Sequence, residues 1–314
     1  GIDVIDGELV GLDSAGHIVA SGPNMVGTQL KFVHSSKPGE WFVKFENFQQ
    51  RVRHWIGPID PLPTYRITWT EPGADPGGDP AGTAVTPTNL CPNPPVIDST
   101  DPLSTSWSGA EAEVLLFTGE RYDFDTGAVL ATGTDADGWI NIACALTARS
   151  KMILYRHKPT TQVGTEYFTT PEQRETLLRM FRADYWGNGV PHTVQGETLV
   201  WQDSYSWMTG DGPQFFSGGR GSLEGIWTKN GVLCLDTPRR FAEDPGLATL
   251  EQPEEYVGGI WDDIANSGPD GSVPPPCTGV IDYDDGDGVQ QLDLDDWDSL
   301  SNIAHMRSWN PLGE

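Results

Sequence analysis

Positive charge is scarce in this chain. Nineteen Lys and Arg face 45 Asp and Glu over 314 residues, a formal net charge of −26. That balance argues against nucleic acid as a partner, because neutralising phosphates takes clustered Lys and Arg. It argues equally against an anionic membrane surface. Long apolar runs are missing too. No stretch of 18 apolar residues exists, so no helix of this sequence is expected to insert in a membrane. Cysteine is limited to Cys91, Cys144, Cys234 and Cys277, none at metal-site spacing, which argues against a Cys-based zinc centre. A Gly-x-Ser-x-Gly nucleophile elbow is absent, and no Cys lies in a hydrolase-like context. Gly218-Gly219-Arg220-Gly221 lacks the Lys-Ser/Thr of a phosphate loop and reads as a flexible turn.

What is abundant is turn chemistry. With 37 Gly and 25 Pro the chain implies many turns, long connections and short strands. A hydrophobic content of 37% with 20% charged residues is that of a globular protein, and the length allows one large or two smaller domains. The even, widely spaced cysteines in Pro-rich surroundings point to two disulfides in an oxidising compartment. Of the three connectivities, matching environments favour Cys144–Cys234 and Cys91–Cys277. The chain opens Gly1-Ile2-Asp3, without Met or an apolar leader, as expected of a mature form from which a leader was removed.

Periodicity divides the chain into four parts. Residues 1–70 read as strands. Glu8-Leu9-Val10-Gly11 and His17-Ile18-Val19-Ala20 flank the turn Asp13-Ser14-Ala15-Gly16, and apolar residues alternate through 29–33, 41–45 and 65–70. Residues 71–106 are a Pro/Gly-rich loop or linker tied down at Cys91. In 107–240, Glu113–Phe117 and Val129-Leu130-Ala131 flank Asp125-Thr126-Gly127, a second hairpin signal. Ala145, Ala148, Met152 and Tyr155 recur at helical spacing within 139–155. A better-marked helix follows: Thr170-Pro171-Glu172-Gln173 supplies an N-cap, a first-turn proline and a capping-box Gln, and Gly187 is its expected stop. Residues 241–314 form an acidic segment. The expected class is α+β, a mostly antiparallel sheet covered by two central helices. No internal repeat stands out.

The segment Phe181-Arg182-Ala183-Asp184-Tyr185-Trp186-Gly187-Asn188-Gly189-Val190-Pro191-His192-Thr193 resembles the signature of the ADYC domain, a family of secreted, mainly myxobacterial proteins. Asn141-Ile142-Ala143-Cys144-Ala145, Lys151-Met152, Leu223-Glu224-Gly225-Ile226-Trp227 and Cys234-Leu235-Asp236-Thr237-Pro238-Arg239 match in the same order, together covering about 107–240. The resemblance implies a secreted module and no particular mechanism. Trp186 stands where the family has its eponymous Cys, so a disulfide or metal role for that thiol is absent here. If that thiol pairs with residue 144 in the family, Cys144 takes another partner in this chain.

Three constellations could carry chemistry. From Phe241 to Met306 there is no Lys or Arg, yet sixteen Asp and Glu. Such density repels itself unless a hard cation sits in it. Within it, residues 282–293 resemble an EF-hand calcium loop, with Asp282, Asp284 and Asp293 at positions 1, 3 and 12 and Val289 at position 8. Gly286 and Asp287 are inverted relative to the pattern. Asp282, Asp284, Asp287 and Asp293 are the expected calcium ligands, followed by a short helix holding Trp297, Leu300 and Ile303. The second constellation is Asp184 and Glu224 among Trp186, Trp201, Trp207 and Trp227, a carboxylate pair and stacking surface that a glycan hydrolase would need. Against it, Trp fills cores and Asp184 can pair with Arg182 or Arg220. The third is His157 with His192, which could hold copper or zinc if their helices converge. The resulting expectation is a secreted or cell-surface calcium-binding structural or adhesive protein, with an extracellular protein or glycan as partner.

Overall fold

The computed structural model describes residues 1–34, 37–51, 62–70, 88–91, 113–123, 126–144, 147–154, 157, 159, 169–193, 199–203, 223–238, 262, 264–284, 288–294, 300 and 306–309. Among them run β1 (Ile2–Ile5), β2 (Glu8–Leu12), β3 (Ile18–Ser21), β4 (Gln29–His34), β5 (Lys37–Arg51), β6 (Leu62–Thr70), β7 (Thr88–Asn89), β8 (Glu113–Phe117), β9 (Glu120–Tyr122), β10 (Val129–Thr132), β11 (Asn141–Cys144), α1 (Ala148–Leu154), α2 (Pro171–Arg182), β12 (Val200–Asp203), β13 (Leu223–Thr228), β14 (Gly231–Leu235), β15 (Val280–Asp284), β16 (Val289–Asp293) and β17 (Met306–Trp309). Two 3₁₀ turns lie at Gly22–Met25 and Gly133–Ala136. Strands paired antiparallel dominate and helices are few. The expected loop at 71–106 and the short helix after Asp293 lie almost wholly outside the described residues.

The chain forms two compact units. The first comprises Gly1–Arg121 with Gly133–Arg156, and the second Tyr122–Thr132 with His157–Glu314. Helix α1 belongs to the first unit, against β8 and β11, and α2 to the second, against β13, β14 and β17, so the two expected helices do not cover one sheet.

In the first unit a sheet of order β11-β8-β6-β5-β4 joins strands β4, β5 and β6 to the segment 113–144, so residues 29–70 share a sheet with it. Alternation explains its core. Val43 and Phe45 of β5 and Tyr65 and Ile67 of β6 point one way, against Val114 and Leu116. Each such side chain contributes roughly 1.5–3 kcal/mol when fully buried. A second sheet, β1-β2-β3, adds Val4 and Leu9 to the same core, and the Leu9 amide donates to the Tyr65 hydroxyl at 2.8 Å.

Two local readings change here. Glu113–Phe117 pairs with β6 and β11 rather than with the strand at 129–132. The start of the expected 139–155 helix is a strand, because Asn141 and Ala143 turn inward, the Asn141 amide caps the Phe117 and Glu120 carbonyls, and Cys144 bonds Cys91. Helix begins only at Ala148.

The second unit holds a sheet of order β12-β17-β13-β14, with α2 against β13, β14 and β17. Strand β17, from the C-terminal end of the chain, sits inside this sheet between β12 and β13. The hairpin β15–β16 joins through a core of Ile226, Leu233, Tyr283, Leu292, Leu294 and Leu300. Strands β15 and β16 of the acidic segment are therefore built into the unit. The disulfides are Cys91–Cys144 and Cys234–Cys277, which overturns the expected Cys144–Cys234 and Cys91–Cys277. Each bridge lies within one unit.

Candidate functional site

Helix α2 starts as its sequence dictates. Thr170 Oγ1 accepts the Gln173 amide at 3.2 Å, and Gln173 Oε1 accepts the Thr170 amide at 2.8 Å, a closed capping box. It stops before the expected Gly187. Ala183 takes a left-handed conformation, φ 48° and ψ 43°, and the Asp184 amide donates back to the Arg179 carbonyl at 3.0 Å. That conformation costs a non-glycine residue roughly 1–2 kcal/mol. What offsets it is the contact the turn creates. Fully buried Asp184 accepts Arg179 Nη1 at 2.6 Å and the Gly189 amide at 3.0 Å, both on Oδ2. Arg179, buried as well, donates to the Lys229 and Thr126 carbonyls and pairs with Glu175 at 3.4 Å. Burial pushes Glu175 above the ordinary carboxylate value, with Arg179 opposing it. Arg179 thus fills the place that sequence offered to Arg182 or Arg220. Its position five residues before Asp184 was the available signal.

The next residue of the signature makes a second buried network. The Tyr185 hydroxyl donates to Glu224 Oε1 at 2.9 Å, and Ser308 Oγ donates to Glu224 Oε2 at 2.6 Å. Trp227 Nε1 donates to the same Ser308 oxygen at 2.7 Å, and the Tyr185 and Trp227 rings stack with centroids 5.3 Å apart. Glu224, Trp227 and Ser308 are wholly buried, and so in effect is Tyr185. No motif marked Ser308, whose role arises only because β17 lies beside β13.

His192 completes the turn. Its Nδ1 meets the Ala183 carbonyl at 3.1 Å and its Nε2 the Ser267 hydroxyl at 3.0 Å. Trp186 donates Nε1–H to the Ile264 carbonyl at 2.7 Å. Gly187 and Gly231 have positive φ of 65° and 111°, and the turn meets the β13–β14 hairpin so closely that a Cβ on either would run into backbone. Here the Val232 amide donates to the Tyr185 carbonyl at 2.8 Å.

These contacts account for most of the candidate chemistry. Asp184 and Glu224 are enclosed and bonded to protein groups instead of facing a cleft, and Trp201 and Trp227 are core residues. Trp207 lies outside the described residues. Both His192 nitrogens are engaged, so it has no lone pair to give a metal shared with His157. His157 itself is buried against Trp201, ring centroids 5.9 Å apart, with neither nitrogen hydrogen-bonded. Desolvation, helped by the Arg174 charge, holds its pKa down to about 3, so it is neutral at pH 7.

The expected calcium loop takes another shape. Asp282 and Asp284 lie on β15 and Asp293 on β16, antiparallel strands with Asp282 opposite Gln291 and Asp293 opposite Val280. Hairpin pairing replaces the helix-flanked loop because Tyr283 and Leu292 alternate into the core. Asp282 and Asp293 are exposed on the other face. Asp287 lies outside the described residues. Among the described residues no three His, Cys, Asp or Glu side chains gather as a metal-binding group.

A family model, the ADYC domain, matches residues 22–241, more than half of the chain. The chain belongs to the ADYC domain family. No curated protein and no solved structure matches it. The ADYC match begins well before residue 107, in keeping with the sheet that joins 29–70 to 113–144. The Ala183-Asp184-Tyr185 signature is the left-handed cap, the buried carboxylate and the stacked phenol described above. Trp186 follows it, reaching Ile264 through a hydrogen bond.

Proposed function

We propose that this ADYC protein is a non-catalytic, secreted or cell-surface structural or adhesive module whose acidic C-terminal segment takes up calcium. The observation that carries the non-catalytic reading is the fate of the signature. Asp184, Tyr185, His192 and Glu224 are buried and spend hydrogen bonds on other parts of their own unit. A catalytic constellation needs groups that reach substrate. The two disulfides fit an oxidising compartment. No helix among the described residues is long and apolar enough to cross a membrane.

Calcium is supported by charge. Sixteen carboxylates without one Lys or Arg between Phe241 and Met306 repel one another in a folded unit. Exposed Asp282 and Asp293 sit two residues out of register on one face of the hairpin, where diagonal neighbours are roughly 7–8 Å apart. Asp284, on β15, and Asp287, between β15 and β16 in sequence, complete the proposed ligand set. Oxygen ligands of this kind suit calcium, which would relieve repulsion and fix the hairpin turn. An extracellular protein or glycan is the partner class. The test is thermal unfolding in calcium and in chelator. The midpoint rises with calcium for the native chain and not for Asp282→Asn/Asp293→Asn. A midpoint indifferent to calcium removes the ion from the proposal.

A further inference from the structure

Two stretches of the chain build the same module, and we infer that they are duplicated copies of one strand-strand-3₁₀-strand unit, used to finish both edges of the six-stranded sheet. The first copy is β2, β3, the 3₁₀ turn Gly22–Met25 and β4. The second is β9, β10, the 3₁₀ turn Gly133–Ala136 and β11. Four glycines at left-handed φ punctuate each copy in the same order. Gly7, Gly16, Gly22 and Gly27 have φ of 84°, 85°, 51° and 93°, and Gly119, Gly127, Gly133 and Gly138 have 95°, 76°, 56° and 74°. The hydrogen bonds repeat as well. In the first copy the Val26 amide donates to Pro23 at 3.2 Å and the Thr28 amide to Met25 at 3.0 Å. In the second, Asp137 donates to Thr134 at 3.2 Å and Trp139 to Ala136 at 3.0 Å.

The turn between the first two strands is led by an aspartate in both. The Asp13 amide donates to the His17 carbonyl and its Oδ1 accepts the Ala15 amide. The Asp123 amide donates to the Ala128 carbonyl and its Oδ1 accepts the Thr126 amide. Met25 and Ala136, at matching places in the 3₁₀ turns, are both buried. Spacing differs only before the second glycine, where β2 is longer than β9 and carries a bulge at Gly11/Leu12. Side chains have diverged while backbone-forcing residues persist. Glycine is the residue that left-handed turns select for, whereas core side chains can be exchanged if volume is kept.

The third strands take complementary places. In the order β11-β8-β6-β5-β4, the two copies end in the two edge strands. Edges expose unpaired backbone groups that invite aggregation, and folds manage them with local devices. One module used twice leads the chain into both.

The test pairs substitutions across the copies. Nothing lies within 4 Å of a Cβ added at Gly27 or Gly138, so alanine there probes backbone strain alone. Gly27→Ala and Gly138→Ala should each lower the melting temperature by about 2–4 °C. Gly27→Asn and Gly138→Asn should lower it less, since Asn tolerates left-handed φ. A crystal structure should show the four glycines of each copy at positive φ and both pairs of 3₁₀ hydrogen bonds. Alanine tolerated in one copy but not the other, or a negative φ at any of the eight glycines, overturns the inference.

Discussion

Tyr185 and Ser308 hold the two oxygens of one buried carboxylate, Glu224, at 2.9 and 2.6 Å. Ser308 also accepts Trp227 Nε1–H and so ties the carboxylate to the indole. Removing a partner from a buried polar group costs about 1–3 kcal/mol. Tyr185→Phe should therefore destabilise by about that amount, and Ser308→Ala by more, since it strips a bond from both Glu224 and Trp227. Urea unfolding of the two variants measures this. Equal midpoints for both would contradict the double role of Ser308.

The Asp184–Arg179 pair makes a stronger demand. Breaking a buried pair by removing one partner costs on the order of 3–5 kcal/mol, because the other charge stays buried. Asp184→Asn should fall in this range by chemical denaturation. Arg179→Met/Asp184→Leu, which removes both charges, should recover part of the loss. A single variant as stable as the native chain would show that the ion pair does not hold the turn.

Close packing of the signature turn against the β13–β14 hairpin gives a prediction with no charge in it. Gly187 faces the Asn230 carbonyl and Gly231 the Tyr185 carbonyl at distances that leave no room for a Cβ. Gly187→Ala and Gly231→Ala should each destabilise by more than about 2 kcal/mol, combining left-handed strain with steric clash. The comparison is Gly271→Ala, also at positive φ but with open space around it, which should lose strain energy only.

Local rules made much of this legible. The capping box Thr170–Gln173, the β2–β3 turn at Asp13–Gly16 and the alternation through β5 and β6 follow from short-range chemistry that the chain states openly. The errors share one cause, long-range pairing. Ala143 and Cys144 read as helix until β8 is set beside them. Asp282–Asp293 reads as a cation loop until Tyr283 and Leu292 find their core. Ser308 has no signal at all until β17 enters the sheet. Likeness of environment pairs Cys144 with Cys234 and Cys91 with Cys277, whereas the fold puts Cys91 and Cys144 in one unit and Cys234 and Cys277 in the other. The two modules escape notice because little more than their glycines and one turn aspartate agree.

Disulfide connectivity can be checked directly. Digestion without reduction, followed by mass spectrometry, should yield one cross-linked pair containing Cys91 and Cys144 and one containing Cys234 and Cys277. The bridges close segments of 53 and 43 residues. Loops of this length correspond to about 4 kcal/mol of unfolded-state entropy each in the chain model. Cys234→Ser/Cys277→Ser should thus lower stability by up to that much while leaving the first bridge intact. A peptide joining Cys144 to Cys234 would reinstate the pairing that the fold excludes.

His157 contributes to the acid limb of the stability profile. It is buried without a hydrogen bond to either nitrogen, and its folded-state pKa is lowered from 6.5 to about 3 by desolvation first and by Arg174 second. In the unfolded chain the ring takes up a proton near pH 6.5, while in the fold it resists until about pH 3. Its contribution is therefore fully present above pH 6.5 and drains away as pH falls towards 3, by at most about 1.4 kcal/mol per pH unit. Carboxylates titrate in the lower part of that window as well, so the informative quantity is the difference between two chains. His157→Phe keeps an apolar ring against Trp201 and has no proton to bind. Between pH 6.5 and 5, where few carboxylates change, the native chain should lose stability more steeply than His157→Phe. Parallel curves over that interval would mean that the imidazole is reached by water or by a partner that accepts its proton.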